Sequence, residues 1–155
     1  MNADGLPEVV VVQSNARLGA KLAIYDETGL VATTPNIGRS NPWLTPLGVA
    51  DLDGDGLTEL AYIDRPHLAQ TLMIWRFESG ELRFVSVGRL HESPHWRTRY
   101  CWWYRTCNRM PEVIVAGADW DQMVVMTFAG KGFVAKTIGQ GTSLPAFAIV
   151  ITSDD

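Results

Sequence analysis

Four carboxylates lie within nine residues of the chain, at Asp51, Asp53, Asp55 and Glu59. Without a cation, so many like charges on one tight turn would repel one another strongly. A hard cation such as Ca²⁺ binds roughly six to eight oxygen ligands, and alternate residues of a turn can aim their side chains at one point. We therefore predict a calcium site with side-chain ligands from all four acids and a backbone carbonyl ligand from Leu57.

The spacing of this motif predicts a loop between two strands. Gly54 and Gly56 fit such a loop because glycine tolerates the positive φ that a tight turn demands. An EF-hand would need a bidentate Glu at the twelfth position of its loop, and that position is Tyr62. The flanking residues 47–50 and 60–63 are apolar and strand-like, whereas an EF-hand is flanked by helices. The last acid of the motif is therefore expected at the start of the second strand.

The chain contains three copies of one pattern. Each copy begins with a glutamate that is followed by a mostly apolar run, in residues 7–12, 58–63 and 111–116. A second apolar run, a glycine-containing hairpin turn and an Ile-Gly or Val-Gly step then follow in the same order, with the turns predicted at residues 26–29, 78–81 and 129–132. The runs are short and rich in Val, Ile, Phe, Tyr and Trp, which is typical of strands. A period of about 50 residues with about four strands per unit is typical of propeller blades.

We therefore predict an all-β chain of about three four-stranded antiparallel β-propeller blades. The predicted units are 1–40, 41–90 and 91–139, with a C-terminal tail at 140–155. A β-sandwich also uses many short strands, but it does not need the same landmarks at one period. No segment shows a convincing apolar stripe at helical spacing. Since closed propellers have about four to eight blades and open blade edges invite pairing, we expect a fragment of a larger propeller or self-association.

The metal motif carries a family resemblance. Residues 49–60, Val-Ala-Asp-Leu-Asp-Gly-Asp-Gly-Leu-Thr-Glu-Leu, resemble the cation-binding hairpin of FG-GAP/VCBS repeats, the blades of integrin-α-type propellers. The resemblance extends over the three units, with the complete motif only in the middle one. It implies calcium at the blade loops of a secreted, periplasmic or cell-surface protein that serves ligand binding or adhesion.

The other two units depart from the complete motif. In the first unit, Asn2 and Asp4 align with the second and third acids, and the counterpart of Asp51 would precede Met1. We therefore expect the chain to start inside a metal loop. In the third unit the three aspartates and a glycine are replaced by Tyr104, Thr106, Asn108 and Arg109. No calcium is expected at that loop.

Residues 91–109 concentrate Trp, Arg and Cys and match no landmark of the repeat. Three interpretations are open: an aromatic and cationic ligand platform, an irregular insertion between blades, and a local frameshift. Cys101 and Cys107 are either a local disulfide or two unpaired thiols. Residues 148–155 also lie off the repeat pattern.

Composition and charge narrow the class of partner. The net charge of −4 gives no electrostatic reason to expect nucleic acid or an anionic membrane as a partner. No apolar run approaches the roughly 20 residues of a transmembrane helix, so we expect no membrane insertion. Residues 1–8 lack the charged-then-apolar layout of a signal peptide.

The sequence offers little support for a catalytic function. Nucleophile-elbow, phosphate-loop and HExxH motifs are absent from the sequence. Asp119 and Asp121 are more typical of turn residues than of an acid/base pair. We therefore predict a noncatalytic module that binds a protein or glycan ligand. The alternative is a lectin-like module of a secreted hydrolase, with glycan held on Trp43, Trp75 and Trp120.

Overall fold

The chain forms three antiparallel sheets and one short helix, so the prediction of an all-β fold of propeller-like blades is confirmed. The computed structural model describes residues 6–40, 43–65, 71–89, 102–107, 110–116, 121–128 and 132–152. We call the sheets blades 1, 2 and 3 in chain order. In each blade, strands that follow one another in the chain are hydrogen-bonded neighbours.

The strands have the following bounds. Blade 1 contains β1 (Val9–Asn15), β2 (Gly19–Asp26) and β3 (Gly29–Thr33). Blade 2 contains β4 (Leu44–Ala50), β5 (Thr58–Asp64), β6 (Thr71–Glu78) and β7 (Glu81–Arg89). Blade 3 contains β8 (Trp102–Cys107), β9 (Met110–Ala116), β10 (Gln122–Phe128) and β11 (Phe133–Gln140), and helix α1 (Leu144–Thr152) follows it.

Blade 1 differs from the predicted four strands, because three of its strands lie within the described residues. The alignment of the glutamates makes β1 the counterpart of β5. Residues 1–5, which align with residues 52–56 of the metal loop, lie outside the described part of the chain.

Two of the predicted hairpin turns are confirmed. Between β6 and β7, Ser79 and Gly80 have φ angles of 54° and 79°, and positive φ at both central residues is typical of a two-residue hairpin with a type I′ turn. Between β2 and β3, the Asp26 carboxylate accepts hydrogen bonds from the backbone N–H groups of Thr28 at 2.7 Å and Gly29 at 3.1 Å. The third predicted turn, 129–132, lies mostly outside the described residues.

Blade 2 is covered by another blade on each face. On one face, Leu60 and Tyr62 pack with Leu22 of blade 1. On the other face, Ile74 packs in one cluster with Val115 of blade 3. Because both faces of the sheet are covered, the apolar run of β5 is continuous rather than alternating.

Helix α1 covers the other face of blade 3. Phe147 is 2% exposed and packs in one cluster with Ile114, Met123 and Val125. These side chains alternate along their strands with those that pack against blade 2. The helix therefore lies on blade 3 where a further sheet would otherwise pack.

Helix α1 lies in the predicted C-terminal tail, and it was not identified from the sequence. This helix is apolar on all sides, so it shows no polar and apolar faces from which its period could be recognised. The residues at its start are typical of a helix N-terminus. The Ser143 hydroxyl accepts a hydrogen bond from the N–H of Ala146 at 3.3 Å, and Pro145 is the second helical residue. Within the described residues, no helix is long and apolar enough to cross a membrane.

Candidate metal centre

The predicted metal loop connects β4 to β5 and is folded around the side chain of Asp51. The Asp51 carboxylate accepts hydrogen bonds from the backbone N–H groups of Gly54 at 2.7 Å, Asp55 at 3.1 Å and Gly56 at 2.9 Å. Gly54 and Gly56 have φ angles of 77° and 88°. Both glycines therefore adopt the positive φ that the sequence predicted.

Three of the four predicted acidic ligands meet at one point. Carboxylate oxygens of Asp51, Asp53 and Glu59 all lie within 4.8 Å of one another. Two oxygens bound to one Ca²⁺ at roughly 2.3–2.6 Å lie at most about 5 Å apart. The three acids therefore fit a single calcium ion.

The remaining two predicted ligands are placed differently. Asp55 lies outside this group of oxygens, and its Oδ1 atom accepts a hydrogen bond from the backbone N–H of Leu57 at 2.9 Å. The Asp55 side chain is 39% exposed, so it borders the site on the solvent side. Coordination by the Leu57 carbonyl stays a prediction.

Glu59 connects the loop to the core of the blade. Its side chain is fully buried, and its Oε2 atom accepts a hydrogen bond from the N–H of Leu52 at 2.8 Å. Leu52 in turn packs in the core shared by blades 2 and 3. Burial raises the pKa of Glu59, although the Leu52 N–H and the positive charge of Arg76 act in the opposite direction.

Sequence reasoning missed Arg76, whose guanidinium contacts three of the acids. Its Nε atom lies 2.6 Å from Glu59 Oε1, its Nη2 atom 2.8 Å from Asp53 Oδ2, and its Nη1 atom 2.8 Å from Asp55 Oδ2. Desolvation alone would lower the pKa of Arg76, but the bond to Glu59 and the surrounding carboxylates outweigh it and raise that pKa. The sequence feature that could have pointed to Arg76 is its position as a basic residue within the mostly apolar strand β6.

The region that replaces the motif in the third unit is a strand in part. Residues 102–107 form β8 and pair with β9, so Tyr104 and Thr106 lie in a strand rather than in a loop. This part of the segment 91–109 therefore belongs to blade 3. The expectations for Asn2, Asp4, Cys101, Asn108, Arg109, Asp119 and Trp120 lie outside the described residues.

The two described tryptophans of the glycan alternative differ in environment. Trp75 is half-buried: its Nε1–H donates to the Tyr62 hydroxyl at 3.2 Å, and its ring meets Phe84 edge-on at 5.6 Å between centroids. Trp43 is 53% exposed. Asp121, of the predicted turn acids, is exposed just before β10.

Comparison with known proteins supports the resemblance for the first part of the chain. The family model of the FG-GAP-like repeat matches residues 1–62. This range includes blade 1, strand β4, the metal loop and most of β5. No match was found among curated proteins or among solved structures.

Proposed function

We propose that this chain, whose residues 1–62 match the family model of the FG-GAP-like repeat, is a calcium-binding segment of an extracellular-type β-propeller. In this proposal the segment serves ligand binding or adhesion and has no catalytic activity of its own. The observation that carries the calcium proposal is the meeting of Asp51, Asp53 and Glu59 oxygens within 4.8 Å, in a loop inside the matched range. Asp55 and the Leu57 carbonyl would complete the ligand set.

The ion has a structural role in this proposal. When bound, Ca²⁺ would neutralise two of the four carboxylate charges of the loop. Asp51 shapes the turn through its three N–H contacts, and Glu59 connects the turn to buried Leu52. A cation held between these acids therefore braces the connection of β4 to β5 against the core of the blade.

Thermal unfolding with and without calcium tests the metal site. An ion that binds only the folded state at a hundredfold excess over Kd stabilises it by about 2.7 kcal/mol, which corresponds to roughly 5–10 °C for a domain of this size. We expect EGTA to lower the Tm of the wild type by this amount. The effect should weaken as the pH falls into the carboxylate range, because the ligands must be ionised.

Paired variants make the test specific for the loop. Asp53→Ala with Asp55→Ala should abolish the difference between calcium and EGTA. Glu27→Ala with Glu81→Ala removes two exposed acids outside the loop and should leave the difference intact. An identical wild-type Tm in calcium and in EGTA would contradict the proposal.

A surface on blade 2 supports the ligand-binding part of the proposal. Phe84 and Val87 on β7 are 51% and 53% exposed. Aromatic side chains such as that of Phe84 are enriched at protein interfaces. Loss of binding to a captured protein ligand in Phe84→Ser would support this part, and retention of full binding would contradict it.

Trp43, which is 53% exposed, favours the lectin-like alternative specifically, since a tryptophan at the surface can contact a sugar. A glycan array separates the two candidates. A glycan signal that is lost in Trp43→Ala supports the lectin-like module, whereas an array without signal supports a protein ligand.

A further inference from the structure

Arg76 occupies the centre of the acidic loop rather than its margin. Strand pairing places it directly opposite Glu59, so its side chain extends along the sheet edge toward the loop. All three guanidinium nitrogens are used, each on a different carboxylate, at distances of 2.6–2.8 Å. The contacts to Glu59 and Asp53 are charge-assisted hydrogen bonds, which are strong, and the contact to Asp55 is an ion pair.

The oxygens that Arg76 contacts are those that the loop backbone does not use. In Asp55, Oδ1 accepts a hydrogen bond from the N–H of Leu57, and Oδ2 contacts Arg76. In Glu59, Oε2 accepts a hydrogen bond from the N–H of Leu52, and Oε1 contacts Arg76. In Asp53, Oδ1 accepts a hydrogen bond from the N–H of Asp55, and Oδ2 contacts the Arg76 guanidinium. A calcium ion that enters the loop therefore needs the atoms that the guanidinium holds.

The charge of Arg76 is too small to satisfy the loop. One guanidinium neutralises one of the four carboxylate charges at Asp51, Asp53, Asp55 and Glu59. The remaining negative charge favours a divalent cation over the arginine alone. The Arg76 side chain is 20% exposed, so it borders solvent and has a route out of the loop.

We propose that Arg76 is an internal counter-ion that competes with calcium for Asp53, Asp55 and Glu59. It holds the loop in its folded shape without metal, and it lowers the calcium affinity because the guanidinium must leave these oxygens when the ion binds. The inference rests on the proposed calcium site and adds to it the residue that sets the affinity.

Calcium titration of the full chain by calorimetry, together with Tm measurements in EGTA, tests this role. Arg76→Gln should bind calcium about tenfold more tightly than the wild type and should have a lower Tm in EGTA. Arg76→Lys keeps the charge but lacks the planar fork, so its affinity should lie between the two. Arg17→Gln is the matched control, because it removes an exposed positive charge in blade 1 and should change neither quantity.

The outcomes distinguish this inference from the calcium proposal itself. Wild-type binding with equal or weaker affinity in Arg76→Gln overturns the competition and leaves the calcium site standing. Binding by Arg76→Gln but not by the wild type supports the competition in its strongest form. If Arg76→Gln does not fold, an Arg76→Lys affinity no higher than that of the wild type overturns the competition. Binding by none of the three proteins overturns both.

Discussion

Blades 2 and 3 have the same sheet order and differ in the connection between their first two strands. In blade 2 this connection comprises residues 51–57, whereas in blade 3 it comprises only 108–109. On the following strand, Glu59 lies opposite Arg76 and Glu112 lies opposite Thr127. On the preceding strand, Glu112 lies opposite Arg105. The strands of a blade therefore form with or without the acidic loop, which makes the loop an addition that carries chemistry rather than a condition of the fold.

The two blades also differ in what covers them. Blade 2 packs against a sheet on each face, whereas blade 3 packs against blade 2 on one face and against α1 on the other. A nine-residue helix thus substitutes for a sheet at blade 3. An apolar sheet face that is exposed to water is unfavourable, so the helix stabilises this face of blade 3 by covering it.

The largest expected change in the free energy of unfolding tests whether α1 stabilises blade 3. Phe147→Ala should reduce the free energy of unfolding by about 3–5 kcal/mol, because it removes a buried ring from the cluster with Ile114, Met123 and Val125. Urea unfolding, with hydrogen exchange of the β9 and β10 amides, measures the loss and its location.

Leu144 provides the control on the same helix, because it is 68% exposed. Leu144→Ala should change the free energy of unfolding by less than about 0.5 kcal/mol. If both substitutions cost the same, α1 does not stabilise blade 3 and the comparison of the two coverings fails.

A smaller effect separates the two aligned glutamates. In EGTA, Glu59→Gln should cost about 2–3 kcal/mol, because an amide cannot replace both carboxylate oxygens and the charged Arg76 Nε–H loses its acceptor. Glu112→Gln, at a half-buried position in blade 3, should cost less than about 1 kcal/mol. Chemical denaturation of both variants measures the difference, and equal costs would show that Glu59 has no special role in blade 2.

Much of the fold could be predicted because its causes are local. Short apolar runs and turn residues such as Ser79-Gly80 are sufficient to predict strands and hairpins, and their recurrence predicts blades. The positive φ of Gly54 and Gly56 followed from the tightness of the acidic turn. The meeting of Asp51, Asp53 and Glu59 followed from their spacing in that turn.

The features that were missed depend on long-range packing or register. Arg76 lies 17 residues from Glu59, and only the pairing of β5 with β6 brings them together. That pairing also draws Asp55 toward Arg76, which its position in the motif does not reveal. Helix α1 forms because blade 3 has an apolar face to cover, and this is a property of the assembled sheet rather than of residues 144–152.

The smallest expected effect compares a glycine of the acidic loop with one in blade 3. Gly56 has a φ of 88° and open space where a Cβ would lie, so Gly56→Ala meets backbone strain rather than a clash. A non-glycine residue in this region costs about 1–2 kcal/mol. Gly132 also has open space, but its φ lies outside that region, so Gly132→Ala should be neutral or stabilising by about 0.4–1 kcal/mol. Urea unfolding in EGTA should therefore move the two midpoints in different directions. A common shift would mean that the loop adopts another conformation without cost, and that the strained turn is not required by the metal-free blade.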